Sequence, residues 1–194
     1  MSPAADAEGR PLAVVLAGGK SRRMGSPKAL VPLGGRPLIA WPLAAARAAG
    51  LDAVVVAKPG SPLPDLDVPV WEEPAEPPHP LTGLVAALER AGRPIVALAC
   101  DMPFVTPALI ARVAAAEGMA VPRGEAFPAR YEPAHLPVLQ GALEREAPVR
   151  AVLAGATLID ADPDELLGVN DPEALAAATR RSAAPPQDPR PPAR

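Results

Sequence analysis

The chain has 194 residues, enough for one domain with a sizeable buried core. Proline supplies 29 of them, about three times ordinary usage, yet 49% are hydrophobic and mean hydropathy is +0.13, which excludes a wholly disordered chain. A net charge of −3 without a basic block argues against nucleic acid or an anionic membrane as a partner. The single cysteine, Cys100, excludes an intrachain disulfide and a multi-cysteine metal site. The N-terminus has no apolar signal core, and no run of about 18 apolar residues exists, so the expectation is a cytoplasmic protein without a membrane span.

Residues 12–17, Leu-Ala-Val-Val-Leu-Ala, form an apolar run with no polar face, which predicts a buried parallel strand. A glycine-rich loop follows at 18–25. A helix is predicted over 38–49, with Pro37 and Pro42 near its start and Gly50 as its stop. Residues 53–57 read as a second buried strand. Eight prolines lie between Pro59 and Pro80, leaving room for one short strand at 68–71.

Next come a helix at 81–91 closed by Gly92 and a third apolar strand at 94–99 that leads into Cys100-Asp101-Met102-Pro103. Thr106 and Pro107 are an N-cap and a first-position proline for a helix to about residue 117. Short strands are expected at 119–121, 126–131 and 157–160, and helices at 133–146, 148–154 and from Pro172 onward. The pattern divides the chain into a flexible N-terminal extension (1–11), one domain (12–180) and a disordered proline-rich tail (181–194). Alternating strands and helices predict an α/β fold, a Rossmann-like three-layer sandwich whose mostly parallel sheet has helices on both faces. Such sheets bind ligands at the carboxyl ends of their strands.

Two polar motifs fall at those ends. In residues 16–28, Leu-Ala-Gly-Gly-Lys-Ser-Arg-Arg-Met-Gly-Ser-Pro-Lys, the glycines permit a tight turn and close backbone approach to a ligand. Free amides there attract phosphate oxygens, and Arg23 and Lys28 add cationic donors. Only three lysines occur in the chain, and Lys20 and Lys28 fall within nine residues of each other. The loop is neither a Walker A motif nor G-x-G-x-x-G, and composition alone also fits a solvated turn. Asp101, at the end of a buried strand, suits Mg²⁺ beside phosphates, although an aspartate there also serves as a turn former. Asn170, in Val-Asn-Asp-Pro-Glu (169–173), has a carbonyl for a metal or a phosphate partner, and the same residues describe a plain helix start. Cys100 with His79 and His135 reads as a core thiol and two scattered histidines rather than a thiol catalytic set. Trp41 and Trp71 read as packing residues.

These motifs resemble those of nucleotidyltransferases, and most closely those of the molybdenum cofactor guanylyltransferase family. The likeness covers the loop at 16–28, Pro80-Leu-Thr-Gly-Leu84, Cys100-Asp-Met-Pro-Phe104 and Val169-Asn-Asp-Pro-Glu173, in family order. The double glycine at 18–19 favours the guanylyl branch over the cytidylyl branch. The resemblance implies transfer of GMP from GTP to the molybdenum cofactor (molybdopterin), with Mg²⁺ as cofactor and pyrophosphate as by-product. It implies Arg23, Lys28 and Asp101 as catalytic residues, Asp101 as the metal ligand, and Leu16, Ala17, Gly18, Gly19, Ser21, Gly25, Lys28, Glu73, Gly83 and Asn170 as nucleotide-binding residues. Cofactor-delivery proteins and molybdoenzymes are the further partners it brings.

The departures are His79 where the family has glycine, Thr82 for alanine, and Glu72 or Glu73 for an aspartate that contacts the nucleotide. Arg130 and Arg150 are candidates for the acceptor's phosphate. Three rival readings remain open. One is a CTP-dependent molybdopterin cytidylyltransferase, another a transferase acting on a sugar or polyol phosphate, and the third a nucleotide- or cofactor-binding protein without turnover.

Overall fold

The computed structural model describes residues 9–19 and 25–183. Three apolar runs form the parallel heart of the sheet, β1 (Leu12–Leu16), β4 (Ala53–Ala57) and β6 (Ile95–Ala99), and the short, more exposed β5 (Val70–Glu72) adds a parallel edge strand beside β4. The sheet has seven strands in the order β5-β4-β1-β6-β8-β7-β9, completed by β7 (Ala120–Pro122), β8 (Ala129–Tyr131) and β9 (Thr157–Ile159). Strand β8 runs antiparallel to both β6 and β7, while β7 and β9 are parallel. The expected α/β class, mostly parallel with helices on both faces, is what the chain adopts.

Alternation along β1 explains the three layers. Ala13 and Val15 point into a core shared with Leu43 and Ala46 of α1 (Ala40–Ala48) and Leu109, Ile110 and Val113 of α3 (Pro107–Ala115). Leu12 and Val14 point the other way, against Leu81, Leu84 and Leu88 of α2 (Pro80–Ala91) and Leu139 and Ala142 of α4 (Leu136–Glu144). Because both faces of β1 are covered, all its positions are apolar. The helix signals work as read. Thr106 Oγ1 accepts from the Leu109 amide at 3.1 Å, and Gly92 closes α2 at φ 59°, a conformation that favours glycine. Pro42 falls in the first turn of α1, where its missing N–H has no intrahelical partner to lose.

The differences are local. The expected helix at 133–146 divides into a 3₁₀ turn, Pro133–His135, and α4, and the one at 148–154 is a 3₁₀ turn, Val149–Val152. A hairpin of β2 (Pro32–Leu33) and β3 (Arg36–Pro37) was not expected. Its signal was present: Gly34 and Gly35 take φ 55° and 76°, the positive pair that a tight two-residue turn requires. The hairpin packs with α5 (Pro172–Ala183) around Leu33, Val169 and Ala178, and Trp41 donates from Nε1 to the Leu33 carbonyl at 3.3 Å. Most of the extension expected at 1–11 and of the tail at 181–194 lies outside the described residues. Among the described residues no helix is long and apolar enough to cross a membrane.

Candidate active site

Parallel pairing puts the ends of β1, β4, β5 and β6 on one edge of the sheet, so Ala17-Gly18-Gly19, Lys58, Glu73 and Cys100-Asp101 converge there. They line a cavity of about 650 Å³, within the usual range of ~300–1,000 Å³ for small-molecule sites.

At one end, Lys28 Nζ lies 2.6 Å from Asp101 Oδ2 and 2.5 Å from Asn170 Oδ1. Three separate segments make this cluster. Lys28 opens a 3₁₀ turn, Lys28–Leu30, beyond the glycine loop, and Asp101 follows β6. Asn170 is brought in by backbone, since the Val169 amide donates to the Asp101 carbonyl at 2.8 Å. The Lys28 and Asp101 side chains are 19% and 15% exposed, which limits screening by water.

At the other end, Glu73 is buried at 6% exposure, with Lys58 Nζ 3.7 Å from its Oε1. A Cβ added to Gly18 would fall 1.9 Å from Oε1, and one added to Gly83 would fall 2.3 Å from Oε2. Two glycines on different elements therefore make the notch that holds the carboxylate. Burial raises the Glu73 pKa, with Lys58 opposing the shift. Lys58 also donates to the Pro74 and Ala75 carbonyls at 2.9 and 2.8 Å, fixing the turn that follows Glu73.

A family model described as the MobA-like NTP transferase domain matches residues 13–165. The chain belongs to this family. It is 35% identical to a molybdenum cofactor guanylyltransferase of Rhodobacter capsulatus over 87% of this chain and 94% of that protein. It is 32% identical to a probable molybdenum cofactor guanylyltransferase of Bacillus licheniformis, over 81% of this chain and 90% of that one.

The fold is shared with a molybdopterin-guanine dinucleotide biosynthesis protein A from Archaeoglobus fulgidus, at a TM-score of 0.70 and 22% identity, covering 87% of this chain and 97% of that one. It is shared almost as well with a 2-C-methyl-D-erythritol 4-phosphate cytidylyltransferase from Thermus thermophilus, at 0.67 and 22%, covering 90% and 100%. Proteins named for different activities thus share this fold, and what each does has to be argued from its site.

In this family member, Leu16, Ala17, Gly18, Gly19, Lys28, Glu73, Gly83, Asp101 and Asn170 all line the one cavity. Gly25, at φ 65°, does not line it, and Ser21 and Arg23 lie outside the described residues. Arg130 and Arg150 are elsewhere. Arg130 is buried and donates to the Ala114 carbonyl and to Glu132, and Arg150 pairs with Glu125 at 3.2 Å. Lys58 was missed, although it is the third of only three lysines and the first charged residue after a buried strand of the same edge. Cys100 is buried without a histidine partner; His135 Nδ1 instead accepts from the Glu132 amide at 2.9 Å.

Proposed function

We propose that the protein transfers GMP from GTP to the molybdenum cofactor, forming molybdopterin guanine dinucleotide and pyrophosphate. The observation that carries this reading is one cavity with different chemistry at its two ends, a Lys28–Asp101–Asn170 cluster and a carboxylate in a glycine notch. Similarity over nearly the full length of a relative named for that activity supports it.

The two ends divide the nucleotide between them. Guanine presents two adjacent donors, N1–H and the N2 amino group, which one carboxylate accepts together. Adenine and cytosine each place a ring-nitrogen lone pair beside their amino donor, and a carboxylate repels it. Glu73, shielded from water, is therefore a guanine selector, and those donors relieve the cost of its burial. Strands β5 and β6 are three sheet spacings apart, roughly 14 Å, which sets the triphosphate end near Lys28 and Asp101 when the base lies against Glu73.

The acceptor's phosphate oxygen attacks the α-phosphorus of GTP in line. The bond from that phosphorus to the α–β bridging oxygen breaks, and its electron pair leaves on pyrophosphate. The nucleophile is already ionised near neutral pH and calls for no side-chain base. Lys28, with Arg23 as the resemblance implies, offsets negative charge on the triphosphate and on the leaving pyrophosphate. A Cβ added to Gly19 would meet nothing within 4 Å, so the nucleotide can lie close to the end of β1 there.

The donor set fits Mg²⁺. A carboxylate oxygen and an amide oxygen, on Asp101 and Asn170, already converge on one cationic group. Among the described residues no cluster of three or more His, Cys, Asp or Glu exists to hold a metal alone. Asp101 and Asn170 would hold Mg²⁺ together with phosphate oxygens and water, as this ion prefers. When bound, it supplies charge screening between the two anionic reactants. A cytoplasmic location goes with GTP as substrate, and delivery proteins and molybdoenzymes are the partners that would supply the acceptor and receive the product.

The test incubates purified protein with Mg²⁺ and each of the four nucleoside triphosphates in turn, with molybdenum cofactor or, separately, a sugar or polyol phosphate as acceptor. Dinucleotide and pyrophosphate are expected with GTP. Product with CTP alone, or with a sugar or polyol phosphate as acceptor, overturns the assignment, as does tight binding without turnover.

A further inference from the structure

The residue before α2 is histidine, and its imidazole has one side committed. Nδ1 of His79 accepts from the Leu81 amide at 3.2 Å and so caps the helix. A ring nitrogen that accepts carries no proton, so in the neutral ring the hydrogen is on Nε2. Among the described residues nothing accepts from Nε2, and His79 lines the cavity. The ring is also held still. Pro78 and Pro80 flank it, the His79 amide donates to the Pro77 carbonyl at 2.8 Å, and Thr82 Oγ1 donates to the same carbonyl at 2.8 Å.

Position relative to Glu73 gives this donor a use. Gly83, four residues on, is the glycine whose missing Cβ leaves room for Glu73 Oε2. His79 thus caps the helix whose first turns carry Gly83 and one wall of the notch. Lys58, the neighbouring cation, already donates to two carbonyls. Resting on the guanine reading of Glu73, we propose that His79 is a base-specificity residue whose Nε2–H donates to O6 of guanine. Carboxylate and imidazole then read one edge of the base together: Glu73 accepts from N1–H and the N2 amine, and His79 donates a hydrogen bond to the adjacent oxygen. This deepens selectivity, because adenine and cytosine present an amino group where guanine presents O6.

The experiment compares the full chain with His79→Ser, whose hydroxyl oxygen keeps an acceptor for the Leu81 amide but cannot reach the base, and with His79→Gly. The readouts are kcat/KM for GTP, for 6-thio-GTP, which replaces O6 by a weak acceptor and keeps both N–H groups, and for ITP, which keeps O6 and lacks the N2 amine. The unaltered protein should prefer GTP to 6-thio-GTP by about five- to tenfold, the scale of one neutral hydrogen bond. Both variants should bring those two substrates to parity while the preference for GTP over ITP persists, and His79→Ser should melt at the temperature of the parent. An unchanged GTP to 6-thio-GTP ratio, with all three rates lowered alike, means that His79 is merely structural and overturns the proposal. No turnover of GTP by the unaltered protein overturns the guanylyl reading itself, and this proposal with it.

Discussion

Lys28 and Asp101, 73 positions apart in sequence, meet in a 2.6 Å ion pair at the edge of the sheet. Lys28 also reaches Asn170, so one ammonium group holds together segments from the start, middle and end of the domain. Replacing Asp101 by alanine should lower kcat by about 10²–10³-fold, the scale of losing one strong electrostatic stabiliser, and should raise the Mg²⁺ concentration for half-maximal rate. Lys28→Ala should raise KM for GTP and lower kcat together, because its charge acts on the triphosphate both before and during transfer. Steady-state kinetics at several Mg²⁺ concentrations check both. A Lys28→Ala enzyme with the parent's constants would remove Lys28 from the phosphate site.

Gly83→Ala tests the notch. The added Cβ would fall 2.3 Å from Glu73 Oε2, so the carboxylate must turn away. The helix itself should tolerate alanine, which is the better helix former by roughly 1 kcal/mol. The expected result is a protein that melts no lower than its parent yet has a KM for GTP raised about tenfold, the weight of one charge-assisted hydrogen bond. A thermal melt alongside initial rates separates this from general damage. Unchanged KM for GTP would show that Glu73 does not touch the base.

The central strands were legible because each is apolar at every position, which only a doubly covered parallel strand requires. The cavity edge was legible because glycines follow the first of these strands and Asp101 follows the third within two residues. The segments that escaped are those whose form depends on tertiary partners. Residues 148–154 carry a helix-like pattern, but Leu153 already leaves the 3₁₀ turn, with its amide on Arg150 rather than four residues back. Arg130 was a candidate for the acceptor's phosphate, yet β8 carries it into the interior, where the Ala114 carbonyl and Glu132 accept its hydrogen bonds. The Glu73 notch was hidden for a different reason. Gly18 and Gly83 each have an evident local role, in a turn and in a motif, and only the fold brings both against one carboxylate.

Cys100 lines the cavity, yet its chemistry should be silent. Burial, reinforced by the neighbouring Asp101 charge and opposed by Lys28, pushes the thiol up to about 12. At pH 8 that leaves about one thiolate in ten thousand, and only the thiolate attacks. A disulfide thiol reagent should therefore find no reactive sulfur in the native protein over minutes and one after denaturation. Prompt labelling of the native chain would contradict the burial of this site.

The raised pKa of Glu73 makes a prediction about stability whose sign can be worked out. Burial holds the carboxyl above its ordinary value near 4.5, so just above that value the folded chain keeps a proton that the unfolded chain has released. The unfolded state binds fewer protons in this window, and stability falls as pH rises from 4.5 through the folded value, after which the cost stays constant. Glu73→Gln removes the titration while keeping the shape. Its melting temperature relative to the parent should therefore climb between pH 4 and pH 8. Ligand should reverse the advantage. Guanine donors solvate the ionised carboxylate but meet a competing amino group on glutamine, so saturating GTP with Mg²⁺ should raise the parent's melting temperature more than the variant's. If GTP stabilises both equally, the carboxylate is not reading the base, even if the pH trend holds.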